Sequence, residues 1–320
     1  MKKKKVKKKK INYELYNNFD ISTKKQIQTL NSHTNWIYCL ALLDDGRLVS
    51  GSADKDIIIY NKSTFEPDIT IKEHNSNVFS IIKLKSGILV SCSDDKTIKL
   101  FNIKEKSYDN LQTLNYHKNS IYKIMEIKNN YLASCSRDKS IIFYTKDNSN
   151  LKYQKDYSIS TKGSCISITQ TKEDEICYLE RLNSNMTYLR FFDLKEKKII
   201  SSISNINNTT CFGPFEIITK DLLIIGGENK MSIVEINKYE LVKVIEQPNA
   251  GFIRGFCMLN KDMFLVGDNN GIIKQWKIEG TNITLISQKE MAHSTGVCSL
   301  LNLGDGHIAS GSFDKSIRIW

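Results

Sequence analysis

The sequence predicts an all-β fold assembled from a small repeated unit, and two observations lead there. In four places a histidine is followed 17 residues later by serine, 21 later by aspartate and 27 later by an aromatic residue: His33, Ser50, Asp54, Tyr60; His74, Ser91, Asp95, Phe101; His117, Ser134, Asp138, Tyr144; and His293, Ser310, Asp314, Trp320. Short runs of β-branched and aromatic residues alternate with turn residues inside these units, the pattern of strands rather than helices. One active site has no use for four copies at one spacing, so the recurrence marks a structural repeat.

Within a unit the elements follow a fixed order. A short apolar segment after the histidine is the first strand, and an alternating segment running into the serine is the second. A turn then carries the aspartate, and a β-rich run such as Asp56-Ile57-Ile58-Ile59-Tyr60 makes the third strand. A fourth precedes the next histidine, as in Leu111-Gln112-Thr113-Leu114.

On Ser50-Gly51-Ser52-Ala53-Asp54, Ser91-Cys92-Ser93-Asp94-Asp95-Lys96-Thr97-Ile98-Lys99-Leu100-Phe101 and Ser310-Gly311-Ser312-Phe313-Asp314-Lys315-Ser316-Ile317-Arg318-Ile319-Trp320, the chain resembles the WD-repeat β-propeller family, whose repeats run from a Gly-His pair to a Trp-Asp pair. Aligning the closing aromatic or its substitute gives seven anchors, Tyr60, Phe101, Tyr144, Phe192, Ile236, Trp276 and Trp320, separated by 41, 43, 48, 44, 40 and 44 residues. The resemblance therefore implies a seven-bladed β-propeller of four-stranded blades. Residues 33–144 and 293–320 match well, whereas residues 158–276 keep the rhythm and lose the polar quartet. In the register of Trp276, Asn249 and Asn270 stand where histidine and aspartate belong; in that of Ile236 those places fall to Thr209 and Lys230. An insertion disturbs the fourth unit.

The last unit reaches Trp320 on its third strand. Ile27-Gln28-Thr29-Leu30-Asn31-Ser32-His33 closely matches Leu111-Gln112-Thr113-Leu114-Asn115-Tyr116-His117, so an N-terminal strand is expected to complete the last blade and remove two open sheet edges. The expected domains are a lysine-rich flexible arm over residues 1–18 and the propeller over residues 19–320.

The quartets invite a hydrolase reading, because a triad activates serine through a histidine oriented by a carboxylate. The resemblance implies a structural role instead: a hydrogen-bonded network inside each blade that ends on the closing indole N–H. Trp320 keeps that donor, Tyr60 and Tyr144 offer a displaced hydroxyl, and Phe101 offers none. The second blade's network is expected to be the least complete, and no catalytic residue is assigned.

The resemblance also implies a partner surface at the mouth of the central channel. The residues five after each histidine are Tyr38, Phe79, Tyr122, Arg254 and Cys298, and those just before the turn aspartate are Ala53, Asp94, Arg137, Asn269 and Phe313. Of these, Tyr38, Phe79, Asp94, Tyr122, Arg137, Arg254 and Phe313 are the expected partner-binding residues, since aromatic and arginine side chains dominate binding hot spots. The expected function is a non-catalytic scaffold for protein or peptide segments. A second surface is open on the divergent blades between residues 158 and 276. A ubiquitin-ligase adaptor is a lesser alternative, because neither a helical segment before the ring nor an Asp-x-Arg extension after a closing aromatic is present.

The formal charge of +11 dissolves on inspection: eight lysines, Lys2, Lys3, Lys4, Lys5, Lys7, Lys8, Lys9 and Lys10, leave +3 for the rest of the chain. Such a block is expected to be a mobile arm. It is expected to serve solubility, a nuclear address, or contact with RNA in a ribosome-assembly role, with a membrane contact the least supported reading. With no aromatic residue among the lysines, any RNA contact would be sequence-blind and salt-dependent. The eight cysteines include no Cys-x-x-Cys pair, so neither a zinc site nor a disulfide framework is expected, and no cofactor is called for. Cys92 and Cys135 fill the small-residue place held by Gly51 and Gly311 and are expected to be buried. No apolar stretch follows the lysines, so the sequence gives no sign of a secretory signal or membrane span. An intracellular setting, cytoplasmic or nuclear, is expected.

Overall fold

The computed structural model describes residues 13–127, 131–147, 152–183, 186–204, 206 and 215–320; the lysine block lies outside them. The strands form seven antiparallel sheets of four. In chain order the blades comprise residues 37–71, 78–114, 121–160, 164–204, 215–246, 255–289, and 297–319 joined by 28–30; they are numbered 1 to 7. Among the described residues the one helical element is a 3-10 turn, Tyr13–Tyr16, and no helix is long and apolar enough to cross a membrane.

The ring closes between strands from distant parts of the sequence. Gln28 pairs with Ile319, Thr29 with Arg318 and Leu30 with Ile317, and the Ile27 amide donates to the Ile319 carbonyl at 2.8 Å. A short further segment reinforces this seam. Tyr16 is wholly buried, and its hydroxyl donates to the His307 carbonyl at 2.9 Å while accepting from the amides of Gly304 and Gly306. Ile21 N donates to Gln275 Oε1, and Gln275 Nε2 donates to the Phe19 carbonyl. Packing against the ring thus begins within residues 13–18, ahead of the expected domain boundary.

The core consists of apolar wedges between neighbouring blades. Val49, Ile57 and Ile59 of blade 1 meet Val78, Leu89 and Phe101 of blade 2; Tyr16, Phe19 and Ile21 join Leu265, Ile273, Val297 and Trp320 between blades 6 and 7. This geometry explains the small residue in the second strand. A Cβ on Gly51 would stand 2.8 Å from Cys39, Ile81 and Val78, and one on Gly311 2.7 Å from Ile37. Cys92 and Cys135, in the same place, are fully buried.

Blades 4 and 5 depart in hairpin length. The residue before the fourth-strand bulge pairs across the sheet as Leu89 with Phe101 and Phe264 with Trp276, but as Ile176 with Phe192 in blade 4 and Leu223 with Val234 in blade 5. The hairpin of blade 4 is therefore longer through its strands, which stay paired as far as Arg181 with Thr187, and that of blade 5 is one residue shorter. Val234, not Ile236, occupies the fifth closing position. The Thr209 and Lys230 assignments derived from Ile236 shift with it, and Thr209 lies outside the described residues.

Candidate protein-binding face

The first strand of each blade lines the channel, so the residue following its opening position projects at the mouth. Tyr38, Phe79, Tyr122, Arg254 and Phe313 line one cavity of about 260 Å³ together with Lys123, Glu216 and Cys298. Their rings form an arc: Phe313, Tyr38, Phe79 and Tyr122 follow one another at centroid separations of 6.2, 5.2 and 5.7 Å. Arg254 closes the arc, its guanidinium carbon 5.2 Å from the rings of both Phe252 and Phe313, a stacking that suits its planar group.

Two expected partner residues sit apart from this cavity. Asp94 accepts hydrogen bonds from Ser76 Oγ at 3.0 Å and from Ser120 Oγ, tying blade 2 to blade 3. Arg137 is exposed on the turn of blade 3. Tyr122 exposes only 7% of its surface, which leaves most of the accessible ring area to its neighbours. Trp36, absent from the sequence-based set, exposes 45% and packs on Phe313 at 4.7 Å and against Tyr38 at 6.3 Å. A signal for it existed: Trp36 stands three residues after His33, just as Phe252 stands three after Asn249.

The turn tips of blades 1, 2, 3 and 7 each carry an exposed lysine beside the quartet aspartate. Lys55, Lys96, Lys139 and Lys315, each following a turn aspartate, hold left-handed backbone with φ of 79, 70, 64 and 70° and are exposed. Deeper in the channel, confinement among protein groups raises the Glu216 carboxyl above its usual range, opposed by the Lys123 charge. Burial likewise pushes the Cys298 thiol up and the Cys39 thiol up to about 12, so neither supplies a thiolate.

The polar quartets hold the turns that carry these side chains. His33 Nδ1 lies 2.9 Å from Asp54 Oδ2, and its Nε2 lies 2.6 Å from Ser50 Oγ. The corresponding distances are 2.8 and 2.7 Å in blade 2, 2.8 and 2.7 Å in blade 3, and 2.9 and 2.7 Å in blade 7. Each aspartate also accepts the amide just after the histidine, from Thr34, Asn75, Lys118 or Ser294. Burial alone would raise these carboxyls, but the bonds from histidine and neighbouring groups outweigh it: Asp54 falls to about 2, and Asp95, Asp138 and Asp314 lie well below the usual range. Ser50, Ser91, Ser134 and Ser310 are completely buried, so a substrate cannot reach them despite the triad-like order of contacts.

The closing residue sets how far each network extends. Trp320 Nε1 donates to Ser310 Oγ at 2.9 Å, Tyr144 OH meets Ser134 Oγ at 3.0 Å, Tyr60 OH reaches Ser50 at 3.4 Å, and Phe101 has nothing to offer. A further serine stands two before each aspartate. Ser52, Ser93, Ser136 and Ser312 each accept that aspartate's amide.

The divergent blades fix their turns by other means. In blade 4 the buried Glu180 accepts the amides of Lys162 and Gly163 and pairs with Arg190 Nε at 2.9 Å. In blade 6 Asp268 takes the serine's place, accepting from the amides of Asn270 and Ile272 and facing Lys274 Nζ at 3.4 Å. Their rims differ too. At the fourth-strand bulge, blades 1 to 3 present Pro67-Asp68, Asn110-Leu111 and Lys155-Asp156. Blades 4 to 6 present Ile199-Ile200, Leu241-Val242 and Leu285-Ile286, all exposed by 37–48%.

Comparison with known families matches the WD domain, G-beta repeat, to residues 24–61, 65–102, 108–145 and 286–320, which are the quartet-bearing blades. The chain is a seven-bladed β-propeller in which four blades are WD repeats. No curated protein matches it. The unmatched blades are 4, 5 and 6, which lack the quartet although their strand order is the same. WD-repeat propellers are typically protein-interaction scaffolds and are in general non-catalytic. Among the described residues no group of three or more histidine, cysteine, aspartate or glutamate side chains is placed to hold a metal ion.

Proposed function

We propose that this propeller is a non-catalytic platform that seats an extended, acidic partner segment across the channel mouth. The arc of Trp36, Tyr38, Phe79 and Phe313 closed by Arg254 carries this reading. Partly exposed aromatic rings gathered on one surface favour contact with a partner, and apolar side chains of the segment would lie on them. Carboxylates of the segment would face Arg137, Arg254 and the lysines at the turn tips, which speeds encounter and sets orientation more than it adds affinity.

The test compares the intact chain with a variant carrying Trp36→Ala, Arg137→Ala and Arg254→Ala, each first shown to melt at the same temperature. A partner retained by the first and lost by the second, with binding that weakens as salt rises, supports the proposal. Identical captures from both remove it. A chain lacking residues 1–10 completes the comparison: retention of RNA by the intact chain alone would support the alternative in which the lysine block is the working surface.

A further inference from the structure

A second concave site lies between blades 3 and 4, away from the channel. Its cavity of about 310 Å³ has Tyr131, Phe143 and Tyr157 in its wall and the carboxylates of Asp156, Glu173 and Asp174 at its rim. Tyr157 stacks on Phe143 with centroids 4.4 Å apart and planes 10° from parallel, which fixes the ring. Lys197 Nζ stands over that same ring, 4.3 Å from its centroid. Lys197 is exposed and sits in a left-handed conformation, φ 51°, at the end of the turn leading into the last strand of blade 4. It is therefore held by a turn rather than by the core. Lys195, on the same turn, pairs with Asp174 at 2.7 Å in a contact open to water.

An aromatic face attracts an ammonium through its quadrupole, more strongly as the pair is desolvated, and a carboxylate rim concentrates cations before contact. Lys197 shows that the cleft accommodates an alkylammonium group over Tyr157. We propose that this cleft binds a lysine side chain of a partner polypeptide, with Lys197 occupying the place in the free ring and yielding it on binding. It shares no residue with the channel mouth, so either reading can fail without the other. An internal occupant lowers the apparent affinity by the fraction of time it fills the site, which makes Lys197 a device for keeping the cleft closed to weak ligands.

The experiment titrates the full chain with the capped peptide Gly-Gly-Lys-Gly-Gly and with its norleucine counterpart, which has the same length of side chain without charge. Carbon-labelled tyrosine rings supply the readout. The lysine peptide is expected to shift the Tyr157 resonance, and Lys197→Ala to tighten binding about fivefold or more. Tyr157→Leu, which keeps apolar volume and removes the ring, is expected to weaken it at least about tenfold. Glu173→Gln with Asp174→Asn, on the rim where folding is not at stake, should weaken it severalfold. Equal binding of the norleucine peptide overturns the proposal. So does failure of the lysine peptide to bind Lys197→Ala, or binding unaffected by the rim pair. Choline, titrated in parallel against its neutral analogue 3,3-dimethylbutan-1-ol, separates the sources: saturation by choline with no response to the lysine peptide would also overturn it, because the site would then serve a small quaternary ammonium.

Discussion

Val266→Thr should give the buried Trp276 indole of blade 6 an acceptor at no net cost in stability. The Trp276 indole N–H is buried without a hydrogen-bond partner, whereas Trp320 donates to Ser310 at 2.9 Å. The two sites superpose in register: Val266 pairs with Lys274 as Ser310 pairs with Arg318, each ten residues before its tryptophan. Valine stands where the acceptor belongs. A buried donor left unbonded costs about 1–3 kcal/mol, and a buried hydroxyl without a partner costs about as much. Threonine keeps the shape of valine and supplies oxygen to the indole, so the two penalties cancel and Val266→Thr should leave stability within about 1 kcal/mol of the parent. In a Trp276→Phe background the hydroxyl has no indole to accept from, and the same substitution should cost about 1–3 kcal/mol. Equilibrium urea unfolding of the four proteins, with unchanged m-values, yields the coupling. An identical cost of Val266→Thr in both backgrounds would refute the reasoning.

Other perturbations probe the seam, the quartets and the rim. Tyr16→Ala empties a fully buried site and should destabilise by about 3–5 kcal/mol, while Tyr16→Phe, which removes the hydroxyl's bonds to His307, Gly304 and Gly306, should cost about 1–3 kcal/mol; equal melting of Tyr16→Ala and the parent would mean the segment does not brace the ring. Asp314→Ala leaves His293, Ser294 and Ser316 without their acceptor and should cost about 1–3 kcal/mol in the same unfolding assay. The quartet aspartates have folded pKa values below the unfolded value near 3.9, so their stabilisation is complete above that value and is lost as pH falls toward about 2. Melting temperature should drop across that window, and less steeply for Asp54→Asn; parallel profiles would count against the linkage. Ile200→Lys, Val242→Lys and Ile286→Lys together, on exposed bulges, should leave melting within about 0.5 kcal/mol per site, and a larger loss in thermal unfolding would show that these residues are structurally covered.

The architecture was legible because the repeat is a spacing rule. Each His-Ser-Asp set must recur at fixed offsets to span one hairpin, so the four complete copies stand out in the sequence. Register in blade 5 was not legible. A hairpin one residue shorter moves the closing position to Val234, and one apolar residue resembles another when no polar partner marks it. The arc at the channel mouth was largely readable from position counting, which placed Tyr38, Phe79, Arg254 and Phe313 around one cavity. Counting missed Trp36, which lies outside the two chosen positions, and it could not show that Asp94 is engaged by Ser76 and Ser120.

The sequence by itself determined the number of blades, the strand order within them and the pairing of residues 28–30 with 317–319, because periodicity and a matching fourth-strand segment encode local hairpins and their closure. Only the tertiary structure decided what lies between blades. That Lys197 covers Tyr157 and that Tyr16 locks the loop at Gly304 and Gly306 both arise from side chains meeting across the ring. Such meetings depend on blade packing and twist, which no spacing along one strand records.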